Sequence, residues 1–335
     1  MVWVNCGGSL EQCWKEDETL QKPVDPSRNV RIPDTFSIDL ESSVSARHLR
    51  LNVALPSAPE PPDGYRALYL LDGDTYFATA VEAVRANGNA PDVIVIGIGY
   101  PDTPEFVEAS MDRHGPLPPE LGLSPFVMAV TRERMFDLSL PMTEAELKSW
   151  ALPVYPQQSS DLGGVDAFLA TLELDIKPRI AALAKINPQG TALFGHSLAG
   201  LAVLRALFTR PDLVRTFIAA SPSIWWNSCS VLQAEKHFAE LVEQHGADPR
   251  ILITMGADES APPKQAVPGI SAADAAALIS RANMVDNAQQ LVNRLKCLSG
   301  GSRFEVADYA LFQDQGHGIS VWPAIGRAVE FAFQR

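Results

Sequence analysis

Cysteine is scarce in this chain. Cys6, Cys13, Cys229 and Cys297 are scattered over 335 positions, too few and too dispersed for a disulfide framework or a zinc site. They read as reduced thiols, which points to a cytoplasmic protein. Histidine is also sparse, with six residues. No His-x-x-x-His or Cys-x-x-Cys spacing occurs, so no metal is expected. Basic residues are outnumbered: 27 Lys and Arg stand against 40 Asp and Glu, a net charge of −13. Phosphate binding needs a basic face, so nucleic acid is excluded as the main partner. Anchoring to an anionic membrane surface is disfavoured on the same ground. No apolar run reaches the roughly 18 residues of a transmembrane helix. The opening Met1–Gly8 stretch lacks the basic and apolar regions of a secretory signal. Repeats and low-complexity tracts are missing too.

What is present is enough for a large core. Hydrophobic residues make up 46% of the chain and charged ones 20%, which excludes wholesale disorder. Residues 1–34 are polar without a clear period and read as an arm; residues 35–335 read as one catalytic domain. Residues 35–40 and 48–55 alternate apolar and polar side chains, as half-buried strands do. Residues 67–71 and 93–98 are short continuous apolar runs, the mark of central parallel strands covered on both faces, with a crossover helix over 75–86 between them. Residues 101–164 carry nine prolines and few clean periods, and read as an irregular insertion over the active face. Regular alternation then returns: helix 165–184, strand 192–194, helix 198–209, strand 216–219, helix 232–245, strand 251–255, one long helix 272–298, strand 304–311 and helix 321–333. Strands alternating with helices imply a mostly parallel central sheet with helices on both faces, an α/β fold.

The sharpest local feature is Gly195-His196-Ser197-Leu198-Ala199-Gly200. It follows an apolar strand and opens an apolar helix. A serine at a tight strand-to-helix turn requires small residues two before and two after it, and Gly195 and Ala199 supply them. Such a turn lifts the hydroxyl above the carboxyl edge of the sheet, and the backbone N–H of Leu198 is placed to meet an oxyanion. A serine needs a base. His317 lies on a turn between the last strand and the last helix, 120 residues after Ser197, in the chain order serine, acid, histidine. His196 adjoins the nucleophile and reads as a supporting side chain. For the acid, strand 251–255 runs into Gly256-Ala257-Asp258-Glu259; Glu259 fits best, Asp258 is the runner-up and Asp314 is too local. The loop Asp72-Gly73-Asp74 after an early central strand offers the N–H of Gly73 or Asp74 as a second oxyanion donor. Gly97-Ile98-Gly99 lacks the third glycine and the following helix of a dinucleotide loop, so no cofactor is expected.

These residues lie within an ordered set: Tyr69–Gly73, Val95–Pro101, Arg134–Leu140, Gly163–Leu169, Gly195–Gly200 and Ser221–Trp226. The set resembles the esterase-D-like branch of the α/β hydrolases, and most of all the enterochelin-type siderophore esterases, over roughly residues 35–333. The resemblance implies an α/β-hydrolase fold, with Ser197 as nucleophile, His317 as base and Gly73-Asp74 as oxyanion loop. It also implies an arginine facing an anionic substrate, for which Arg132 and Arg134 are the candidates. Trp225 is a candidate wall of an acyl or aromatic pocket. The elbow ends Ala-Gly where relatives often carry Gly-Gly, and the stretch from Pro101 to Arg132 is longer than the pattern expects.

The expectation is therefore a serine carboxylic-ester hydrolase acting through an acyl-enzyme on a small-molecule ester, with siderophore-like lactones or depsipeptides as the substrate class. A short-chain carboxylesterase, an S-formylglutathione hydrolase-like enzyme, an acyltransferase and a catalytically silent binder are the alternatives. The sequence carries no signal of oligomeric state.

Overall fold

The computed structural model describes residues 31–115, 123–150, 158–262, 271–298, 305–306 and 309–334. The chain falls into two compact units, Met1–Pro33 and Asp34–Arg335. The expected arm at 1–34, apart from its last four residues, lies outside the described residues. The architecture that follows belongs to the second unit.

In chain order the strands are β1 (Thr35–Glu41), β2 (His48–Ala54), β3 (Tyr65–Leu71), β4 (Val93–Gly99), β5 (Ile186–His196), β6 (Thr216–Ala220), β7 (Arg250–Gly256), β8 (Glu305–Val306) and β9 (Ala310–Phe312). They form a single sheet in the order β1-β2-β4-β3-β5-β6-β7-β8, with β9 also paired to β7. β2 runs antiparallel to both β1 and β4; from β4 to β9 every pairing is parallel. Helices cover the sheet: α1 (Gly73–Ala86), α2 (Pro104–His114), α3 (Pro125–Leu138), α4 (Glu144–Trp150), α5 (Val165–Thr171), α6 (Lys177–Ala181), α7 (Leu198–Thr209), α8 (Glu235–His245), α9 (Ala272–Ala282), α10 (Met284–Lys296) and α11 (Val321–Phe333). Every residue of β4 and β6 is buried, as a strand covered on both faces must be.

Four expectations are corrected. The described residues of 101–164 are not irregular, since α2, α3 and α4 lie there. Two of the prolines that suggested breakage are helix starts: Pro104 follows the N-cap Thr103 and Pro125 follows the N-cap Ser124, where a missing N–H costs nothing. The apolar period of α3 is masked because the helix buries Glu133 and Asp137. Arg47 meets both, with its Nε 3.1 Å from Asp137, while Arg113 pairs with Glu133 and Tyr100 donates its hydroxyl to Asp137 at 3.0 Å. Burial pushes the Asp137 carboxyl up to about 6, against the pull of Arg47.

Second, the long helix expected over 272–298 is two helices. Asn283 adopts φ 44° and ψ 45° between them, a left-handed conformation that asparagine tolerates better than most residues. Third, the helix expected over 165–184 passes from α5 through a π-helical turn, Leu172–Ile176, into α6. Pro178 follows that turn and has no N–H to give back to residue 174. Fourth, β5 spans eleven residues where three were expected. The strand expected over 304–311 is described only as β8 and β9.

Gly97 and Gly99 acquire a reason. A methyl group on Gly73 would sit 2.4 Å from the Gly97 carbonyl carbon, and one on Gly99 would collide with the Asp74 carboxylate. These glycines let the first turn of α1 lie directly on β4, which fixes the loop ahead of it.

Candidate active site

All the chemistry lies at the carboxyl edge of the parallel strands, where an open α/β sheet places its ligands. β5 delivers Ser197 at φ 60° and ψ −118°, a backbone state that serine rarely adopts and that the surrounding contacts must hold. The Ser197 N–H donates to Ala220 O at 2.9 Å, and its carbonyl accepts from Leu201 N at 3.0 Å and Ser223 N at 3.1 Å. A methyl on Gly195 would meet Ala199 O at 2.3 Å, so the small residues of the motif are a steric requirement of the turn.

Ser197 Oγ lies 2.9 Å from His317 Nε2. His317 Nδ1 lies 2.7 Å from Glu259 Oε2. Glu259, rather than Asp258 or the exposed Asp314, is the acid that reaches the imidazole. Its other oxygen, Oε1, accepts from Gly256 N at 2.8 Å and from the Ser221 hydroxyl, with Ser320 Oγ at 3.1 Å. Burial raises the cost of a charge on Glu259, but the His317 hydrogen bond and charge, with Ser221 and Gly256, outweigh it and hold the carboxyl below its ordinary value. The group is ionised near neutrality. The acid and histidine loops are tied together, because Asp258 N donates to Gln315 O at 3.0 Å. With Glu259 accepting from Nδ1, the Nε2 lone pair faces the serine hydroxyl. This arrangement can take the serine proton and return it to a leaving group.

His196 supports this relay. It is buried, and its Nε2–H donates to the His317 carbonyl oxygen at 3.0 Å. Its ring lies 4.8 Å from that of His317, centroid to centroid. Burial, with repulsion from His317, pushes its pKa down to about 3. An unfolded histidine takes a proton below pH 6.5 whereas this one stays neutral to about pH 3. Its contribution to stability is thus complete above pH 6.5 and is lost as the pH falls from 6.5 towards 3. His196→Gln keeps an N–H donor and cannot titrate. The fall in Tm between pH 7 and pH 4.5, followed by circular dichroism, is expected to be smaller in this variant than in the parent.

The sequence-expected oxyanion donors lie at two helix starts. Leu198 is the first residue of α7 and Gly73 the first of α1, and first-turn N–H groups have no acceptor within their own helix. The loop before Gly73 is pinned. Asp72 sits at φ 56°, and Arg134 grips its carboxylate with Nε at 2.6 Å and a terminal nitrogen at 2.8 Å. The same terminal nitrogen lies 3.4 Å from His196 O. Here the structure departs from the sequence reading: the bidentate edge of Arg134 is filled by Asp72, so it does not stand open for a substrate carboxylate or catecholate. Arg132 is not beside it. Positions two apart on a helix point about 200° apart. Arg132 lies within the influence of Asp161, and its buried Nε has no hydrogen-bond partner among the described residues.

Trp225 lies two residues past Ser223, whose Oγ is 3.5 Å from Ser197 Oγ. It is half-buried in an aromatic cluster, its ring tilted at 4.2 Å from Trp150 and 5.7 Å from Trp226. Trp226 is core, donating Nε1–H to Leu140 O at 2.8 Å. A cavity of about 370 Å³ opens beside β1 and β2, lined by Arg47, Tyr100, Phe106, Arg113 and Glu133 among others; none of Ser197, His317 and Glu259 lines it. Sequence reasoning missed Ser221, Ser223 and Ser320. Buried serines at loop positions carry no spacing signal, although Ser221 and Ser223 stand inside the Ser221–Trp226 motif.

This sheet, with a serine turn after β5 and a histidine beyond β9, defines an α/β hydrolase. Residues 140–296 match the family described as "Putative esterase". The chain is 31% identical to the ferri-bacillibactin esterase of Bacillus subtilis over 328 residues, covering 95% of this chain and 96% of that one. It is 30% identical to the siderophore triacetylfusarinine C esterase of Aspergillus fumigatus, covering 80% and 81% of the two chains. In fold it resembles the crystal structure of the BES protein from Bacillus cereus, with a TM-score of 0.70, 23% identity and coverage of 92% and 99%. The chain belongs to this esterase family and is an ester hydrolase. Among the described residues no helix is long and apolar enough to cross a membrane.

Proposed function

We propose that the chain cleaves siderophore-like lactone or depsipeptide esters through an acyl-enzyme on Ser197. The observation that carries this reading is the unbroken relay from Ser197 Oγ through His317 to ionised Glu259. Ser197 Oγ attacks the ester carbonyl carbon while His317 Nε2 takes its proton. The carbonyl oxygen becomes an oxyanion facing the N–H groups of Leu198 and of the Gly73-Asp74 turn. Collapse breaks the bond to the alkoxy oxygen, which leaves with the proton from His317. Water then attacks the acyl-enzyme, giving its proton to His317, and the second collapse frees the acid and restores the Ser197 hydroxyl. Glu259 keeps Nδ1 protonated throughout and stabilises the charged imidazole.

The substrate class is supported by the two relatives named above, both esterases of siderophores, and by the aromatic pair of Trp150 and Trp225, the latter two residues from Ser223. A cytoplasmic setting fits Cys229 and Cys297, both free thiols. A panel of a cyclic trilactone siderophore, S-formylglutathione, a feruloyl ester and p-nitrophenyl butyrate tests the class by mass spectrometry of products. The expected result is preferred opening of the trilactone to the linear acid. Turnover of p-nitrophenyl butyrate with no trilactone cleavage would contradict it.

The arginines separate in the same assay. Arg134→Gln frees the oxyanion loop, so kcat is expected to fall about tenfold, alike for anionic and neutral esters, with KM little changed. Arg132→Ala is expected to leave the ratio of anionic to neutral KM unaltered. A selective rise in KM for the anionic ester in the Arg134 variant would restore a direct substrate contact.

A further inference from the structure

Two exposed apolar side chains follow His317 along the chain, and the mechanism uses neither. Ile319 and Trp322 follow His317 by two and five residues and are 55% and 44% exposed, among the most exposed large hydrophobic side chains described. They are not on a loose end. Ile319 N and Ser320 N both donate to Gly316 O at 3.0 Å, and Trp322 N donates to Ile319 O at 3.3 Å. The Trp322 ring stands edge-on to Tyr76 at 5.7 Å and 80°, and Tyr76 stands edge-on to His196 at 6.1 Å and 82°. Since His196 lies 4.8 Å from His317, a continuous line of rings leads from the base to the exposed indole. An indole packed against Tyr76 and still 44% exposed is suited to receive a flat apolar group.

The chemistry says which part of an ester lies there. The acid that protonates the leaving oxygen must be within hydrogen-bond reach of it. That acid is His317 Nε2–H, so the alcohol portion extends over the His317 side of Ser197. The carbonyl oxygen points instead to Leu198 and Gly73. We infer that Trp322 and Ile319, backed by Tyr76, form the subsite for the leaving alcohol and favour an alcohol bearing a planar aromatic group. The inference rests on the ester-hydrolase mechanism proposed above and adds to it which side of the ester is read.

The test compares benzyl acetate and ethyl acetate, which share an acyl group, and ethyl phenylacetate, which moves the ring to the acyl side. The parent enzyme is expected to show a lower KM for benzyl than for ethyl acetate. Trp322→Ala is expected to raise the KM for benzyl acetate about tenfold relative to ethyl acetate, the loss of one aromatic contact. Ile319→Ser is expected to shift the same ratio in the same direction by a smaller factor, and Trp322→Phe to recover most of it. The ratio for ethyl phenylacetate to ethyl acetate should stay as in the parent. Equal changes on all three esters, no change in the ratio, or a change confined to ethyl phenylacetate would overturn the subsite while leaving ester hydrolysis standing. Failure of the parent to hydrolyse any of the three while it opens the trilactone would overturn the subsite alone; failure on the trilactone as well would overturn the mechanism with it.

Discussion

Replacing Ser197 by alanine is expected to lower kcat by about 10⁵-fold or more, with the melting curve unchanged. Without Oγ no acyl-enzyme forms, and His317 and the oxyanion donors can only assist direct attack by water. The fold has little reason to respond. The hydroxyl bonds to His317 Nε2 on a half-exposed ring, while the turn itself is held by backbone bonds from Ser197 to Ala220, Leu201 and Ser223. Steady-state hydrolysis of an activated ester, paired with circular dichroism melting, checks both halves. Retained turnover would move the nucleophile elsewhere.

The second large effect is expected at Glu259. Glu259→Gln should lower kcat by about 10³- to 10⁴-fold, and the geometry says why an isosteric amide fails. Oε1 accepts from the Gly256 N–H at 2.8 Å, and that backbone donor cannot turn away. The single amide oxygen of glutamine is therefore drawn to Gly256, which leaves the NH₂ facing His317. The imidazole must then offer Nδ1 as an acceptor and carry its proton on Nε2, where it blocks abstraction from Ser197. The ring also loses the carboxylate that stabilises its charged form. Asp258→Asn, one residue away, is the control and is expected to change kcat little. A larger loss at Asp258 than at Glu259 would overturn the assignment of the acid.

Much of this site is legible in the sequence because its steric demands are local. Gly195 and Ala199 are small for a reason that acts within one turn, and the apolar strand and helix on either side reveal that turn. Glu259 and His317 are visible as polar residues just past strand ends. What cannot be read depends on closure in three dimensions. Arg134 is apparent as a cation near the site, but its commitment to Asp72, 62 positions away, is not. Ser221 and Ser320, which both reach Glu259 Oε1, come from separate loops and leave no pattern. In the fold, α3 is hidden because Glu133 and Asp137 occupy core positions that a periodicity argument expects to be apolar. The break at Asn283 is hidden for the opposite reason: apolar residues continue on a helical period through both α9 and α10.

The central claim is that His317 and Glu259 make Ser197 a nucleophile. A fluorophosphonate reports this directly, since it reacts with an activated serine and not with an ordinary one. Intact-mass and peptide-mapping spectrometry after labelling should show one adduct per chain, located on the peptide carrying Ser197. Labelling should be abolished in Ser197→Ala and slowed by orders of magnitude in His317→Ala. An adduct on another residue, or a native protein that takes up no label, would contradict the account.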